Sequence, residues 1–477
     1  MFLLRKPLFT ALLSLLLALL PVFLLTGITF AAPMQYDDTF LGELKDKHAR
    51  LKETDGAKIV LIGGSSLAFG LDSALLEEYM GMPVVNYGLY ATIGTKAMLD
   101  LSRSHIGRED IVVICPETDE QTYSLYYNAH SMWQAIDSDP SLFWDTGLDN
   151  FGKLAAGFPA FAGEKLDFVR QNAKPAPSGI YAHASFNDYG DVSVERKYNE
   201  MPANYDPSMA IFLTTDLLDE DFLAYLNDYA DACRLRGAKV YFSFPPMNDA
   251  AVTSTGEETD SFYRTLGQSL DFPVISDVYD YILPSAYFYD TNFHLNSRGA
   301  LLRTSLLAED LLRVLGVIER VETVKFTAPE RPADYFDLKF EDDENAPYYL
   351  YAEIEGGLSI VGLTDAGKEQ KSLKIPRGTE GKAVLAIGDN AFAEGNPEEI
   401  LIGEYAALRS ISAGAFAGCG SLQRVELHLS PSALPVSGAV LEAMPEGCYV
   451  CIPQSMYGEF ATDYFWSAMM KYVKVIE

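Results

Sequence analysis

The segment KIVLIGGSSLAFGLDS (residues 58–73) opens on an apolar, β-branched run, Ile59-Val60-Leu61-Ile62, that reads as a buried strand. Gly63-Gly64 breaks the run, two serines follow, and Asp72 or Ser73 caps a helix that carries Leu75 and Leu76. Strand, glycine turn, serine and helix together lift a hydroxyl to the carboxyl end of a parallel strand. Helix-terminal N–H groups at such a place can hold a developing oxyanion. The competing reading is a glycine turn whose serines only cap.

Further along, Pro83-Val84-Val85-Asn86-Tyr87-Gly88 is a second short strand, and Asp110-Ile111-Val112-Val113-Ile114-Cys115 is a third, ending at Pro116-Glu117. Helical spacing runs through residues 92–101 between them and through residues 219–236 later. A strand at residues 239–244 then leads into Pro245-Pro246-Met247-Asn248, and another is expected near residues 273–275. This alternation predicts an α/β fold with a doubly wound parallel sheet. Ligands of such sheets sit at the carboxyl ends of the strands, where Ser65, Gly88 and Glu117 fall. Residues 122–206 are aromatic and turn-rich, and read as an insertion over the sheet. It is either a substrate lid or an ordinary aromatic-packed subdomain.

The chain has 477 residues, room for two or three domains, and its 48% apolar and 22% charged residues are a globular composition. Its net charge of −31, from 36 basic against 67 acidic residues, argues against nucleic acid and anionic lipid surfaces as partners. The five cysteines are an odd number in a long chain, so no disulfide framework is implied. Cys448 and Cys451 form a lone C-x-x-C without a nearby histidine cluster, and read as buried or strand-face thiols rather than zinc ligands.

Arg5 and Lys6 precede a nearly uncharged stretch, residues 7–32, long enough to span a bilayer with the remainder outside. Residues 1–34 are therefore expected to be an uncleaved membrane anchor. A signal peptide with Thr29-Phe30-Ala31 at its cleavage site is the alternative. Residues 35–57 read as a stalk helix, 58–318 as the sheet domain, and 319–349 as an acidic, proline-containing linker or cap. In residues 350–477 Ile387-Gly388-Asp389-Asn390-Ala391-Phe392-Ala393 recurs, 24 residues later, as Ile411-Ser412-Ala413-Gly414-Ala415-Phe416-Ala417. Short strands recur evenly at Ile400, Val425 and Val450, with Ile375 as the candidate for an earlier copy. The period is that of a leucine-rich-repeat-like solenoid.

A serine hydroxyl is a weak nucleophile that needs a base and an orienting acid. Of six histidines, His294 stands in the loop YFYDTNFHLN (residues 287–296), beside Asp290 and just before a helix capped by Ser297. The chain order Ser…Asp…His is one of several that give the same catalytic geometry. In this reading Asp290 fixes the imidazole tautomer. The competing readings are that His294 caps its own helix and that Asp290 is a turn residue.

Together these blocks resemble the SGNH (GDSL-type) hydrolase superfamily over residues 58–315. Phrases such as VVNYGLYATIGTKAML and FYDTNFHLNSRGA are similar to an exported Gram-positive subgroup, distantly similar to the D-alanyl-lipoteichoic-acid transfer protein. The resemblance implies a flavodoxin-like three-layer domain in which Ser65, rather than Ser66, is the nucleophile, His294 the base and Asp290 the acid. It implies an oxyanion hole made by the N–H groups of Ser65 and Gly88. Two departures stand out. Glu117 occupies the place of the family's asparagine donor, and a carboxylate cannot donate unless protonated. Three residues, not two, separate acid from histidine. Glu117, Asn248 and Asn292 are accordingly candidate substrate contacts, Asn248 is an alternative donor, and Asp277 and Asp280 are spare acids.

IGDNAFAEG, ISAGAFAGCGSLQRVEL and the closing IPQSMYGEFATDYFWSAMMKYVKVI resemble BspA-type leucine-rich repeats of bacterial surface proteins. This implies either protein or glycan contact or a rigid spacer. The whole is expected to be an exported serine esterase acting on acyl esters of cell-envelope or extracellular glycans, placed outside the plasma membrane. An acyl or D-alanyl transferase and an inactive surface scaffold are the alternatives. The chemistry requires no metal or organic cofactor.

Overall fold

The computed structural model describes residues 20–175, 179–201, 203–317, 326–328, 331, 343–403, 406–431, 434, 436–463 and 465–476. These form a mixed α/β fold with several parallel sheets, in two units: Met1–Asn172 with Ile180–Arg331, and Ala173–Gly179 with Pro332–Glu477.

The first unit is built on strands β1 (Ile59–Gly63), β2 (Val84–Gly88), β3 (Ile111–Cys115) and β4 (Lys239–Phe242). They lie parallel in the order β2-β1-β3-β4, consistent with a doubly wound arrangement. The first three are buried at every residue. That is why they read as unbroken apolar runs rather than alternating ones. Register sets Gly63 beside both Gly88 and Cys115, so three strands end level. The strand expected near residues 273–275 is a single parallel bridge from Phe242 to Val274. Pro273, just before it, has no N–H to extend the ladder.

Beyond the helical residues 20–31, the α-helices of this unit are α1 (Leu44–Glu53), α2 (Ser65–Phe69), α3 (Ser73–Met80), α4 (Thr95–Arg103), α5 (Ala129–Ser138), α6 (Phe151–Gln171), α7 (Glu220–Leu235), α8 (Gly256–Ser269) and α9 (Ser297–Leu315). Ile59, Leu61 and Val113 of the sheet share a core with Leu76 of α3 and Leu307 and Leu311 of α9. Asp72 caps α3 by accepting the Leu75 amide at 3.0 Å. Helix α1 buries Leu44, Lys47, His48 and Leu51. Within the insertion, Trp133 of α5 packs on Phe158 and Phe161 of α6, at 4.9 and 5.8 Å between ring centres.

The expected membrane anchor is corrected here. Among the described residues no helix is long and apolar enough to cross a membrane. Residues 20–31 are helical, but Phe30 packs against Trp133 and Phe158, 6.1 and 6.2 Å between centres. Just beyond, the Gln35 amide donates to Asp137 at 2.7 Å. Phe30 thus meets protein, while Leu20, Val22, Phe23, Leu24 and Ile28 are exposed. Residues 1–19, which carry the rest of the stretch, lie outside the described residues. With the anchor fall the membrane as a partner and the placement outside the plasma membrane.

In the second unit, strands Ser372–Lys374, Glu399–Ile402, Arg424–Leu427, Tyr449–Pro453 and Val473–Ile476 form one parallel sheet. Register stacks Leu373, Ile400, Val425, Val450 and Val473 in one row. Leu373, not Ile375, is the earlier member of the row. The two Ala-Phe-Ala copies meet, with Phe392 and Phe416 stacked 5.8 Å apart and 9° from parallel. All five cysteines of the chain are free and buried.

Candidate active site

The turn after β1 passes between neighbouring strand ends with no space for a side chain. A Cβ on Gly63 would stand 2.2 Å from the Cys115 carbonyl oxygen, and one on Gly64 would stand 2.6 Å from Glu117 Oε1. Ser65 follows as the first residue of α2. Its Oγ lies 2.8 Å from His294 Nε2, across 229 positions of chain. His294 Nδ1 in turn lies 2.9 Å from Asp290 Oδ1. Ser65 and His294 are only 6% and 5% exposed. The three side chains are thereby brought into one hydrogen-bonded line. The neighbouring Ser66 hydroxyl is buried and meets no polar partner among the described residues.

Thr291 explains how three intervening residues still let Asp290 face His294. Its Oγ1 accepts the amides of Phe293 at 3.2 Å and His294 at 3.0 Å, curling the loop so that positions four apart share a side. Asp290 Oδ2 accepts the Tyr181 hydroxyl, which also lies 3.3 Å from His294 Nδ1. Burial, and after it the Asp290 charge, push the Tyr181 phenol well above its ordinary range, so it stays a donor. Phe69, at the far end of α2, lies flat on the His294 ring, 4.0 Å away and 2° from parallel.

Two buried arginines stitch these segments together. Arg196 donates to the carbonyls of Phe69 and Leu295, both at 3.0 Å. Arg303, on α9, donates to the Ser66 carbonyl at 2.7 Å and to that of Phe244 at 3.3 Å. Burial lowers the Arg196 guanidinium to about 10. It remains charged at neutral pH.

Glu117 sits against the nucleophile. Its Oε1 accepts the Ser66 amide at 2.7 Å and lies 3.2 Å from Ser65 Oγ. The carboxylate therefore holds an amide at the start of α2. Nearby, Asp119 is pushed up to about 6, by burial first and the Glu117 charge second.

The other predicted residues lie differently. The Gly88 amide donates to Asn86 Oδ1 at 3.1 Å, so this N–H is already engaged. Asn248 donates to the Asn204 carbonyl at 2.8 Å and accepts the Ala250 amide at 3.1 Å. Asn292 ties down residues 206–209, donating to the carbonyls of Asp206 and Met209, both at 2.8 Å, and accepting the Asp206 amide. Both asparagines are fully buried and brace loops. Asp277 caps the 3-10 turn Val278–Tyr281, which also holds Asp280, while His294 Nδ1 is taken by Asp290.

Sequence reasoning missed Tyr181, Phe69, Arg196 and Arg303. Phe69 carried a signal, standing four positions after Ser65 on one short helix. The others come from distant segments and carried none. The expected acylated glycan, cell-envelope polymer and repeat ligand are also corrected. Ser65 and His294 are nearly enclosed. No family model matches the chain, and no curated protein resembles it significantly.

Proposed function

We propose that this protein is a serine-type acyl-ester hydrolase of the SGNH kind. The carrying observation is the pair of short contacts that joins Ser65 Oγ, His294 and Asp290. Ser65 Oγ attacks the ester carbonyl and its proton passes to His294 Nε2. Asp290, held by Tyr181, fixes the tautomer and steadies the imidazolium. His294 then protonates the departing alcohol, and water resolves the acyl-enzyme by the reverse route. The first amides of α2 receive the oxyanion when the ester displaces the Glu117 carboxylate.

Strand order β2-β1-β3-β4, lengthened by the Phe242–Val274 bridge, supports the flavodoxin-like reading. The stacked parallel strands and the Phe392–Phe416 pair support a leucine-rich-repeat reading of the second unit. The burial of Ser65 and His294 favours a second outcome for the acyl group, transfer to an acceptor other than water.

A fluorophosphonate probe tests the reading. It should label the folded chain and Ser66→Ala, but not Ser65→Ala. Absence of labelling in the folded parent overturns the hydrolase and leaves a non-catalytic role. Turnover of p-nitrophenyl acetate without an added acceptor separates hydrolysis from transfer.

A further inference from the structure

Away from Ser65, the first unit holds a second cluster of chemically able side chains. His48 lies on α1, His105 just after α4, and Asp145 at the end of the 3-10 turn Pro140–Asp145. Their ligand-capable atoms all lie within 4.8 Å of one another. Asp145 Oδ2 stands 3.2 Å from His48 Nε2 and 3.1 Å from His105 Nε2. Two ligands of a tetrahedral zinc ion, each about 2.0–2.1 Å from it, stand about 3.3 Å apart. Both separations come close to that edge.

A hydrogen bond accounts for one of the two contacts, that of His48 Nε2 with Asp145 Oδ2. His105 Nε2 is shielded from solvent, yet it makes no hydrogen bond among the described residues. At 3.1 Å from Asp145 Oδ2 the distance is adequate, so the ring is aimed off the line between the atoms. A nitrogen sharing a tetrahedral ion with that oxygen also points off the line, by about 35°. The outer partners fit as well. Tyr87 Oη lies 2.9 Å from His48 Nδ1, and Ser104 Oγ donates to Asp145 Oδ1 at 2.9 Å. Such contacts orient ligating imidazoles and carboxylates.

We infer that His48, His105 and Asp145 bind one divalent transition metal ion of the zinc class, which ties α1, the turn after α4 and the 3-10 turn together. His48 is fully buried, whereas His105 and Asp145 are about a fifth exposed, so the fourth position faces solvent and takes water. No residue of the Ser65 site takes part.

The full chain, stripped with EDTA, is titrated with zinc chloride by calorimetry and with cobalt chloride by visible absorption. The expected result is one zinc per chain and the bands of tetrahedral cobalt. His105→Ala and Asp145→Asn should lose this uptake. Tyr87→Phe, the mildest change, should weaken it about tenfold. His183→Ala, at the separate Glu43–Asp46–His183 cluster, should bind as the parent does. Circular dichroism in EDTA checks that each variant is folded. No stoichiometric uptake by the parent, uptake unchanged in folded His105→Ala or Asp145→Asn, or uptake lost in His183→Ala would overturn the site.

Discussion

The Ser66 amide donates to Glu117 Oε1 at 2.7 Å, one residue beyond the Ser65 hydroxyl. On the proposed hydrolase reading, an acceptor thus fills a seat that calls for donors. Glu117→Gln keeps the shape, lets the amide oxygen accept Ser66, and adds an NH₂ donor. Since losing one such donor costs about 10²–10³ in rate, we expect kcat/KM for p-nitrophenyl acetate at pH 7 to rise about tenfold. A fall in rate would show that the carboxylate itself is needed.

Asp290 holds His294 with one oxygen and Tyr181 with the other. Asp290→Asn should lower kcat by about 10³–10⁴, because the amide favours the wrong imidazole tautomer. Tyr181→Phe removes only one supporting hydrogen bond. Its expected effect is a loss of about tenfold or less in kcat/KM, with probe labelling of Ser65 retained. Steady-state kinetics of the two variants side by side check this.

Phe69 lies under the imidazole and is fully buried. Phe69→Ala should cost about 3 kcal/mol or more of stability in urea unfolding. Phe69→Leu keeps most of the burial but loses the ring stack. It should fold and lose about two- to tenfold in kcat/KM.

Lys47 is buried, donates to the Asn86 carbonyl at 3.0 Å, and is lowered to about 8 from an ordinary 10.5, chiefly by burial. Between those values the unfolded chain holds a proton that the folded chain has released. Stability should therefore rise as pH increases from about 8 toward 10.5. Lys47→Met should remove this rise. Urea midpoints measured at both ends of that range, for both proteins, decide it.

The parallel sheet was legible because strands buried on both faces must be apolar throughout, as Ile59-Val60-Leu61-Ile62 shows. Ser65 and His294 were legible from local pattern, a glycine break before one and a loop before a helix at the other. The uses of Asn248 and Asn292 were not, since a buried amide bracing a loop looks in sequence like one reaching for substrate. Tyr181 lies 109 positions from Asp290, and only the folded chain brings them together. The first segment misled for a physical reason. Apolar length alone does not distinguish lipid from protein as the surroundings of a residue such as Phe30.

Helix α2 begins with Ser65 and ends with Phe69, and both touch His294. A single turn of backbone thus sets the spacing of the Ser65 hydroxyl and the ring that lies on the imidazole. Swinging the 290–296 loop outward would uncouple both contacts in the same movement. On the proposed reading, activity should then fall in step with the fraction of molecules whose loop has opened.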